Sequence, residues 1–596
     1  MIDRLEDSGL PMENNVVVAG IGCSGNLVHL LEGNQPYGFH GIHGRSLPIS
    51  LGVKMARPEL NVVVVAGDGD FLSIGGEHIG ADLPSPRERR VDRLAAAKRA
   101  PVGRDRVAFG PVDGGLTVGE LYKRAGAAAA YFREADVEHV AMVDVTSIAL
   151  PLSLFGAAWA GLPFVPVNYR LPDEELHSLL DRVAPAIALV EPSTASLADG
   201  REGITVLLRP DFLEQVVSSQ ESEADWVMDG EETAVLLFTS GTTGEPKAAV
   251  LRHRHRGSYN LGSVEFMGPG EDEAALVSVP PYHVAGIAAI LSNVYAGRRV
   301  VQLPTFDAAD WVALVRAESV TSAMVVPTML TRIVGFLDSE GPDGPGLPTL
   351  RSLSYGGGRM PLPTICRALE LLPTTAFVNA YGLTETSSTV ALLGPDDHRE
   401  AMASAEPTIR ARLGSAGRPL PAIEITIRDD LGDEVPIGVA GEIWVRGEQV
   451  SGEYRDSPPR LTDDGWFLTH DGGWVDADGF LHVTGRIDDV IVKGGQNISP
   501  SEIEESLLHH EAVADAAAIG LPDRQWGERI VAAVVLHPGC AATADELRST
   551  VRDRLRSNRT PDHVEFVAAL PYNDTGKLLR RVLRADLAHL GDGSTA

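Results

Sequence analysis

The segment TSGTTGEPK, residues 239–247, combines small hydroxyl side chains and glycines with one lysine. Such a loop exposes hydroxyls and backbone N–H groups to phosphate oxygens, and the lysine ammonium can neutralise the charge of a leaving pyrophosphate. It is not a Walker A loop, because Lys247 follows a proline and precedes Ala248. The sequence therefore predicts a phosphate-binding loop of another kind. Taken alone, the segment is equally compatible with a flexible polar turn.

A second candidate for phosphate chemistry is GDGD, residues 67–70, which directly follows the apolar run 62–66. Paired aspartates in a glycine turn at the carboxyl end of a buried strand could hold Mg²⁺ on a diphosphate. The sequence thus raises the question of whether the chain carries out two chemistries or one.

Four further motifs follow the first loop in order: YGLTET (381–386), DGWFLTHD (464–471), GRIDDVIVKGGQNISP (485–500) and NDTGKLLR (573–580). With TSGTTGEPK they resemble the AMP-forming adenylate superfamily of acyl-CoA synthetases, luciferases and peptide-synthetase adenylation domains, over about residues 90–585. The resemblance implies an AMP-forming acid–thiol ligase that uses ATP, Mg²⁺ and CoA. It also implies an α/β fold with a large adenylate-forming domain, a β-rich subdomain and a small mobile α+β C-terminal domain.

The same resemblance implies roles for individual residues. Tyr381 would stack on adenine, Asp471 would accept hydrogen bonds from the ribose hydroxyls, and Arg486 would lie near that sugar. The expected ATP-binding or AMP-binding residues are Thr239, Ser240, Gly241, Thr242, Thr243, Gly244, Lys247, Gly356, Gly357, Gly358, Tyr381, Thr384, Asp471 and Arg486. The expected catalytic residues are Lys577, Thr384, Glu385 and His283, with Thr384 on the α-phosphate, Glu385 on Mg²⁺ and Lys577 bridging the substrate carboxylate and the α-phosphate.

The segment VKGGQNISP resembles the stretch that lines the pantetheine tunnel of CoA ligases. Gly494 and Gly495 would let that narrow chain pass close to the backbone, and Lys493 would supply charge near the entrance. Asp488 matches the hinge of the family. His283 resembles the position beside the acyl tunnel, although a lone histidine is equally a packed structural residue.

Lysine usage supports these assignments without any family knowledge. After Lys123 only Lys247, Lys493 and Lys577 remain, and all three lie inside the motifs. A compact ammonium differs from a planar guanidinium, so these positions are ones where a point charge is needed.

One segment limits the class of acyl substrate that we expect. The stretch YHVAGIAAI, residues 282–290, contains no acid that could pair with a substrate ammonium, which disfavours an α-amino acid. A fatty or aryl carboxylate is the better expectation. Transfer to a carrier-protein thiol instead of CoA, and a luciferase-like oxidation, both stay open.

The opening block resembles the thiamine-diphosphate-binding β subunit of 2-oxoacid:ferredoxin oxidoreductases, through GIGCSG, GFHGIHGRSLPISLGVKMARPEL and VVVVAGDGDFLSIGGEH. The resemblance implies an asparagine metal ligand some 30 residues after the GDG aspartate, but no asparagine occurs between Asn61 and Asn168. Cys23 is the only cysteine of the block, too few for an Fe–S cluster. Asp68 and Asp70 are therefore half of a site, and we interpret the block as a fusion remnant. The alternative is an electron-transfer oxidoreductase subunit with an appended ligase.

Composition bounds the remaining expectations. The 596 residues are too many for one core, and the net charge of -31 argues against nucleic-acid binding. Three scattered cysteines and an acidic start without a secretory pattern favour a cytoplasmic location, and a homo-oligomer stays open. The apolar stretch from Ser147 contains three prolines and predicts a buried helix and a strand instead of a membrane span. The expected units are residues 1–80, a linker at 81–90, an adenylation domain at 91–486 and a C-terminal domain at 487–596.

Overall fold

The computed structural model describes residues 15–19, 37–40, 61–65, 104–218, 229–239, 246–264, 268–342, 344–555, 557–573 and 578–591. In the N-terminal block, strands β1 (Asn15–Ala19), β2 (Tyr37–His40) and β3 (Asn61–Val65) form a parallel sheet in the order β2-β1-β3. The strand predicted before GDGD is thus confirmed as β3, whereas β2 was not predicted. Cys23, Asp68 and Asp70 lie outside the described residues.

Two sheets form the centre of the large domain, and most neighbouring strands within them are parallel. The first has the order β11-β10-β7-β6-β8-β9, and the second the order β18-β17-β16-β15-β14-β12-β13-β4-β5. The strands are β4 (Val107–Phe109), β5 (Leu116–Thr117), β6 (His139–Val143), β7 (Phe164–Pro166), β8 (Ala186–Val190), β9 (Ile204–Leu208), β10 (Thr233–Thr239), β11 (Lys247–Arg252), β12 (Ala274–Val277), β13 (Arg299–Gln302), β14 (Ser322–Val325), β15 (Ser352–Gly356), β16 (Ala376–Leu383), β17 (Ser388–Leu393) and β18 (Arg418–Pro419).

Helices cover these sheets and bury an apolar face against them. The first helix begins at a capping box in which the Thr117 hydroxyl accepts from the Glu120 N–H. The helices are α1 (Val118–Glu134), α2 (Ala149–Ala160), α3 (Asp173–Val183), α4 (Arg209–Ser218), α5 (His253–Ser263), α6 (Val284–Ala296), α7 (Ala308–Ala317), α8 (Pro327–Ser339), α9 (Leu362–Leu371), α10 (Pro395–Ala403) and α11 (Pro407–Arg410). The apolar stretch from Ser147 forms α2 and β7, as predicted. None of the described helices combines the length and apolar character needed to cross a membrane.

The β-rich subdomain follows. Its strands form an antiparallel sheet in sequence order, and Ile427, Ile443, Val445 and Phe467 are buried in its core. The strands are β19 (Glu424–Arg428), β20 (Gly441–Arg446), β21 (Phe467–Val475) and β22 (Leu481–Arg486). The resemblance implied a β-rich subdomain, and this sheet confirms that prediction.

A small α+β unit ends the described chain. Strands β23 (Ile491–Lys493), β24 (Gln496–Ile498), β25 (Val513–Asp523) and β26 (Gly527–Leu536) pair in the order β24-β23-β26-β25, and β27 (His563–Phe566) pairs with β26. Helices α12 (Pro500–Leu508) and α13 (Ala544–Arg554) pack on this sheet through Ile503, Leu507, Leu547 and Val551, and α14 (Arg580–Asp586) lies near the end of the described chain. The predicted fold class is confirmed, and the mobility of the C-terminal domain stays a prediction.

Candidate active site

The first group of site residues lies where the large domain meets the β-rich sheet. Asp471 on β21 and Arg486 on β22 are directly opposite each other in the antiparallel register. Arg486 Nη1 donates to Asp471 Oδ1 at 3.1 Å and to the Thr469 carbonyl at 2.8 Å. The Tyr381 hydroxyl, at the end of β16, donates to Asp471 Oδ2 at 2.7 Å. Tyr381 and Arg486, 105 positions apart in sequence, are thus brought to one carboxylate.

The chemical state of Tyr381 follows from its surroundings. Burial, and then the neighbouring Asp471 carboxylate, raise the pKa of the Tyr381 phenol well above its ordinary value. The phenol therefore stays a neutral hydrogen-bond donor at any physiological pH, and it fixes one carboxylate oxygen of Asp471. The hydroxyl of Tyr381 thus orients the acid, which the sequence did not suggest, and the stacking of its ring on adenine stays a prediction.

Glu385 forms the second part of the site. It lies in the single 3₁₀ turn Thr384–Thr386 that follows β16, and its side chain is buried. The Tyr454 hydroxyl donates to Glu385 Oε1, and burial together with that carboxylate raises the pKa of Tyr454 above its ordinary value. Mg²⁺ binds in proteins through one or two carboxylates plus the phosphate oxygens of the substrate. A single buried carboxylate held by a neutral donor fits that ion.

The backbone around this turn is tightly constrained. Ser387 has a φ of 59°, in the left-handed region, and a Cβ on Gly382 would lie 1.8 Å from the Ser388 carbonyl oxygen. The buried Gln449 amide donates to the Thr386 carbonyl at 3.0 Å and to the Thr389 carbonyl at 2.7 Å. The position of the Thr384 and Glu385 side chains is therefore set by residues on both sides of the turn.

The TSGTTGEPK loop connects two paired antiparallel strands. Thr239 ends β10 and Lys247 begins β11, and the two are opposite each other in the antiparallel ladder. Lys247 Nζ lies 5.8 Å from the centroid of the Tyr454 ring, whose hydroxyl contacts Glu385. This places the loop lysine beside the candidate metal ligand. The middle of the loop, Ser240, Gly241, Thr242, Thr243 and Gly244, lies outside the described residues, as does Lys577.

The glycine run after β15 forms a close backbone approach. A Cβ on Gly356 would lie 2.2 Å from the Ala380 carbonyl oxygen, so no larger residue fits without moving β16. Gly357 has a φ of 82°, which an L side chain rarely adopts. Gly358 is less constrained, since the nearest atom to its Cβ would be on Pro327 at 3.7 Å. This run borders the strand that carries Tyr381, and the nucleotide contacts expected of both stay a prediction.

His283 occupies the N-cap position of α6, and its ring lies 4.7 Å from the ring centroid of Tyr282. The turn before the helix is narrow, because a Cβ on Gly286 would lie 2.5 Å from the Pro280 carbonyl oxygen. Helix α6 packs against α5 and against β17, the strand that follows the Glu385 turn. His283 thus caps a helix that packs on the strand following the Glu385 turn, and its role beside the acyl tunnel stays a prediction.

The expected CoA residues are gathered in the C-terminal unit. Lys493 Nζ forms an ion pair with Asp562 at 2.6 Å, so its charge is satisfied within that unit in this orientation. Gly494 and Gly495, with φ values of 59° and 75°, form the turn between β23 and β24. The Gly494 N–H donates to the Trp526 carbonyl at 2.7 Å. Asp488 lies in the 3₁₀ turn Ile487–Asp489 between the β-rich sheet and this unit, at the position expected for a hinge.

Tyr454, Gln449 and Thr469 were missed by sequence reasoning. Each acts through a contact to a residue distant in sequence, such as the pair of Tyr454 and Glu385, 69 positions apart. Tyr454 and Gln449 lie in no motif that distinguishes them from packing residues, whereas Thr469 lies inside DGWFLTHD and was passed over. They are found only once the strands that bear them are side by side.

The fold, the Asp471 and Glu385 groups and the paired ends of the TSGTTGEPK loop together suit an enzyme that forms adenylates from ATP. The chain belongs to the AMP-binding enzyme family, whose profile matches residues 95–455, while the AMP-binding enzyme C-terminal domain matches residues 502–577. The fold, the AMP-forming acid–thiol ligase class and the expected ATP, Mg²⁺ and CoA are thereby confirmed. The roles given to individual residues stay predictions.

Relatives cover most of the chain. It is 32% identical to a fatty acid–[acyl-carrier-protein] ligase of Streptomyces coeruleorubidus, over 72% of this chain and 83% of the relative. It is also 32% identical to a 2-succinylbenzoate–CoA ligase of Bacillus cereus, over 82% of this chain and 97% of the relative. Among solved structures, the o-succinylbenzoate CoA synthetase of Bacillus subtilis in complex with its acyl-adenylate matches with a TM-score of 0.71 and 29% identity, covering 82% and 97% of the two chains.

The N-terminal block has its own match. A thiamine pyrophosphate enzyme C-terminal TPP-binding domain matches residues 20–81. The predicted resemblance of this block to thiamine-diphosphate enzymes is thereby confirmed. The match ends before the adenylate-forming region begins at residue 95.

Proposed function

We propose that this chain converts a fatty or aryl carboxylic acid to its CoA thioester through an acyl-adenylate. The observation that carries the proposal is the arrangement around Asp471, since a carboxylate fixed by Tyr381 and Arg486 is suited to accept hydrogen bonds from two ribose hydroxyls. The neighbouring Glu385 and Lys247 suit the phosphate end of the same nucleotide. One site thus has complementary groups for both ends of ATP.

In the first half-reaction, a substrate carboxylate oxygen attacks the α-phosphorus and pyrophosphate leaves. Both reactants are anions, so the site must supply positive charge and in-line positioning. We assign this to Lys247, Lys577 and Thr384, with Glu385 holding Mg²⁺, which neutralises phosphate charge when it is bound. The loop residues between Thr239 and Lys247 would cradle the phosphates through backbone N–H groups and hydroxyls.

In the second half-reaction, the thiol sulfur of CoA attacks the acyl carbonyl carbon and AMP leaves with the bonding electron pair, while the thiol proton passes to solvent. The acyl-adenylate is a mixed anhydride, so this step needs positioning more than a strong base. We assign the pantetheine passage to Gly494 and Gly495, with Lys493 near its entrance. Lys493 places a cation at the entrance of the passage, whether it keeps Asp562 as its partner or releases it.

A carrier-protein thiol is the second candidate acceptor. One observation favours it: a relative at 32% identity is a ligase for an acyl-carrier protein. A further structural neighbour, at 27% identity and a TM-score of 0.71, is an amide bond synthetase from Marinactinospora thermotolerans. The acceptor therefore differs among proteins similar to this chain, and only the acid-activation step is common to the proposals.

The test is a panel of carboxylic acids assayed by pyrophosphate release, each with no acceptor, with CoA, and with a phosphopantetheinylated carrier protein. We expect turnover that depends on the acid and on CoA. Turnover with the carrier protein but not with CoA would make the carrier protein the acceptor. If none of the acids supported pyrophosphate release, the proposed function would be contradicted.

Three organisational features belong to the same proposal. The adenylation domain would span residues 91–486 and the C-terminal domain residues 487–596, with residues 1–80 as a remnant joined through a linker at 81–90. The family matches at 95–455 and 502–577 lie inside these bounds and support them. The cytoplasmic location rests on the scattered cysteines, which suit a reducing compartment.

A further inference from the structure

Helix α3 ends beside the TSGTTGEPK loop, and Arg182 on its last turn contacts that loop directly. Arg182 Nη1 donates to the Pro246 carbonyl at 2.6 Å, and Pro246 is the residue before Lys247. The two bonded residues are 64 positions apart in sequence. None of the motifs that led to the candidate site contains Arg182, so this contact joins a further residue to the site.

The rest of the Arg182 guanidinium contacts two other elements. Its Nη2 donates to Asp456 Oδ2 at 2.5 Å, and its Cζ lies 5.0 Å from the centroid of the Phe238 ring on β10. Since β10 leads into the loop and Pro246 ends it, one guanidinium lies against both sides of the loop. A planar fork of donors can make these contacts together, whereas a lysine has a single charged atom.

Asp456 belongs to the segment that reaches the candidate metal ligand. Tyr454, two residues before Asp456, forms an isolated antiparallel bridge with Ala249 of β11 and donates through its hydroxyl to Glu385. Lys247 Nζ lies 5.8 Å from the centroid of the same Tyr454 ring. Arg182 therefore joins the loop end that carries Lys247 to the segment that carries the hydrogen-bond partner of Glu385.

The ion pair of Arg182 contributes little to folding, because the Arg182 and Asp456 side chains are 28% and 55% exposed. The hydrogen bond to Pro246 has a local effect instead. It fixes the plane of the peptide bond between Pro246 and Lys247, and with it the direction in which the Lys247 side chain leaves the strand. Misplacing a group at a reacting centre by about 1 Å can cost on the order of 10²-fold in rate.

We propose that Arg182 is a positioning residue for ATP, which holds the Lys247 end of the TSGTTGEPK loop in place and thereby aligns the phosphates for attack by the acid. This inference rests on the proposed function, in which Lys247 supplies charge to the phosphates. Arg182 acts through Pro246 and does not itself contact the reacting atoms. Its effect is confined to the half-reaction that uses ATP, so acyl transfer from the adenylate is independent of it.

Two measurements on the full chain test this role. Titration calorimetry with ATP and Mg²⁺, without any acid, gives the Kd for ATP, and pyrophosphate release with each substrate varied gives the KM values. Arg182→Met keeps an apolar stem against Phe238 and loses the donors. We expect its Kd and KM for ATP to rise about tenfold, while the KM for the acid changes by less than about twofold. Thioester formation from supplied acyl-AMP and CoA should keep the parental rate, because no pyrophosphate leaves in that step.

Arg201→Met is the matched control. Arg201 Nε donates to Asp181 Oδ1 at 2.9 Å, next to Arg182 on the same helix, and these two side chains are 22% and 54% exposed, nearly as in the Arg182 pair. Among the described residues, the side-chain hydrogen bonds of Arg201 go to Asp181 alone. This variant loses an equivalent ion pair of α3 and should keep the parental Kd and KM for ATP.

Two further variants separate positioning from folding. Asp456→Asn removes the carboxylate that orients Arg182, so it should raise the Kd for ATP by a smaller factor, and it should add nothing in the Arg182→Met background because both changes act through one guanidinium. Millimolar guanidinium chloride should lower the KM for ATP of Arg182→Ala, and the same concentration of sodium chloride should not. If Arg182→Met does not fold, the Asp456→Asn result decides.

The outcomes distinguish this inference from the proposed function. Parental Kd and KM values for ATP in Arg182→Met and Asp456→Asn would reject the positioning role. Equal loss of adenylation and of thioester formation from acyl-AMP in Arg182→Met would make Arg182 a general structural residue and would also reject it. If no acid supported pyrophosphate release by the parent, the proposed function would fail, while calorimetry would still decide whether Arg182 supports ATP binding.

Discussion

Asp471 and Arg486 face each other across adjacent antiparallel strands, and the 3.1 Å contact between them leaves Asp471 Oδ2 to the Tyr381 hydroxyl. The acid is therefore held from both sides by residues of two different sheets. Its geometry depends on how the β-rich subdomain packs against the large domain, and so does any ribose contact that it makes.

We predict that Asp471→Ala raises the KM for ATP and leaves the KM for the acid nearly unchanged. Each charge-assisted hydrogen bond to a ribose hydroxyl is worth roughly 1.5 to 3 kcal/mol, which corresponds to a rise on the order of tenfold or more. Steady-state kinetics with each substrate varied in turn checks this. Asp463→Ala, an exposed acid of the same segment, is the control and should behave as the parent. An unchanged KM for ATP in Asp471→Ala would remove the ribose role.

Glu385→Gln should shift the Mg²⁺ dependence of pyrophosphate release to higher concentration. The amide keeps the shape of the side chain and can still accept the Tyr454 hydrogen bond, but it loses the anionic oxygen that a hard cation prefers. The measurement is a Mg²⁺ titration at saturating ATP.

Tyr454→Phe provides the matched comparison for this residue. It removes the donor and keeps the ring and the carboxylate, so its Mg²⁺ curve should stay closer to that of the parent than the Glu385→Gln curve. A Glu385→Gln variant with the parental curve would place the metal on other groups.

The pH dependence of stability can be tested at His255. Burial, and then the charge of Arg254, lower the pKa of His255 from 6.5 to about 4. Between these values the unfolded chain binds a proton that the folded chain does not, so the folded state loses stability as the pH falls from 6.5 towards 4. His255→Asn, which can still accept from the Arg252 N–H, removes this loss. The stability advantage of the parent over the variant should therefore shrink by about 2 kcal/mol between pH 7.5 and pH 5, since one pKa unit is about 1.4 kcal/mol.

Urea unfolding of both proteins at the two pH values measures this difference. Parallel pH profiles of parent and variant would mean that His255 is protonated in the folded chain over the same range as in the unfolded one. Because the comparison is between two proteins at each pH, the titration of all other groups cancels.

The N-terminal block is tested by deleting residues 1–86. A block with half of a thiamine-diphosphate site should contribute no step to acid activation, so the truncated enzyme should keep its pyrophosphate release and thioester formation. The comparison is made at equal concentration with circular dichroism to confirm folding. Loss of ligase turnover in a folded truncated chain would make the block an active part of the enzyme.

Sequence and structure agree where the signal is local. The apolar run 234–238 before a glycine-rich loop predicted a strand, and β10 covers it; the motif order predicted the positions of Tyr381 and Asp471 in one site. The burial of Arg256 and the hydrogen bond of Tyr454 to Glu385 could not be predicted, because both depend on residues distant in sequence. The segment RHRHR, residues 252–256, is typical of a solvated helix face, yet its third arginine, Arg256, is buried.

The last prediction concerns how one site performs two half-reactions. By sequence, Lys577 and Gly494 both belong to the proposed C-terminal domain, more than 75 residues apart, and each is assigned to a different half-reaction. In the orientation described, the unit contacts the large domain through Arg359, which pairs with Glu505 at 2.6 Å and donates to the Ser501 carbonyl at 2.9 Å. Both charged side chains are about half exposed, and such pairs contribute little. The Ser499 hydroxyl also donates to the Thr484 carbonyl of the β-rich sheet at 3.0 Å, close to the expected hinge.

A rotation about Asp488 would present the two elements in turn, because hinge residues absorb a large change in φ and ψ. Lys577→Ala should lose adenylation by on the order of 10² or more, as for a transition-state donor, and still convert supplied acyl-AMP to acyl-CoA. Asp488→Pro fixes φ near −65° and restricts Ile487, so it should keep pyrophosphate release and lose thioester formation. The two half-reactions are measured separately, by pyrophosphate release and by thioester formation from acyl-AMP. Equal slowing of both half-reactions in both variants would contradict a two-orientation mechanism, because each substitution would then act on a step that the two reactions share.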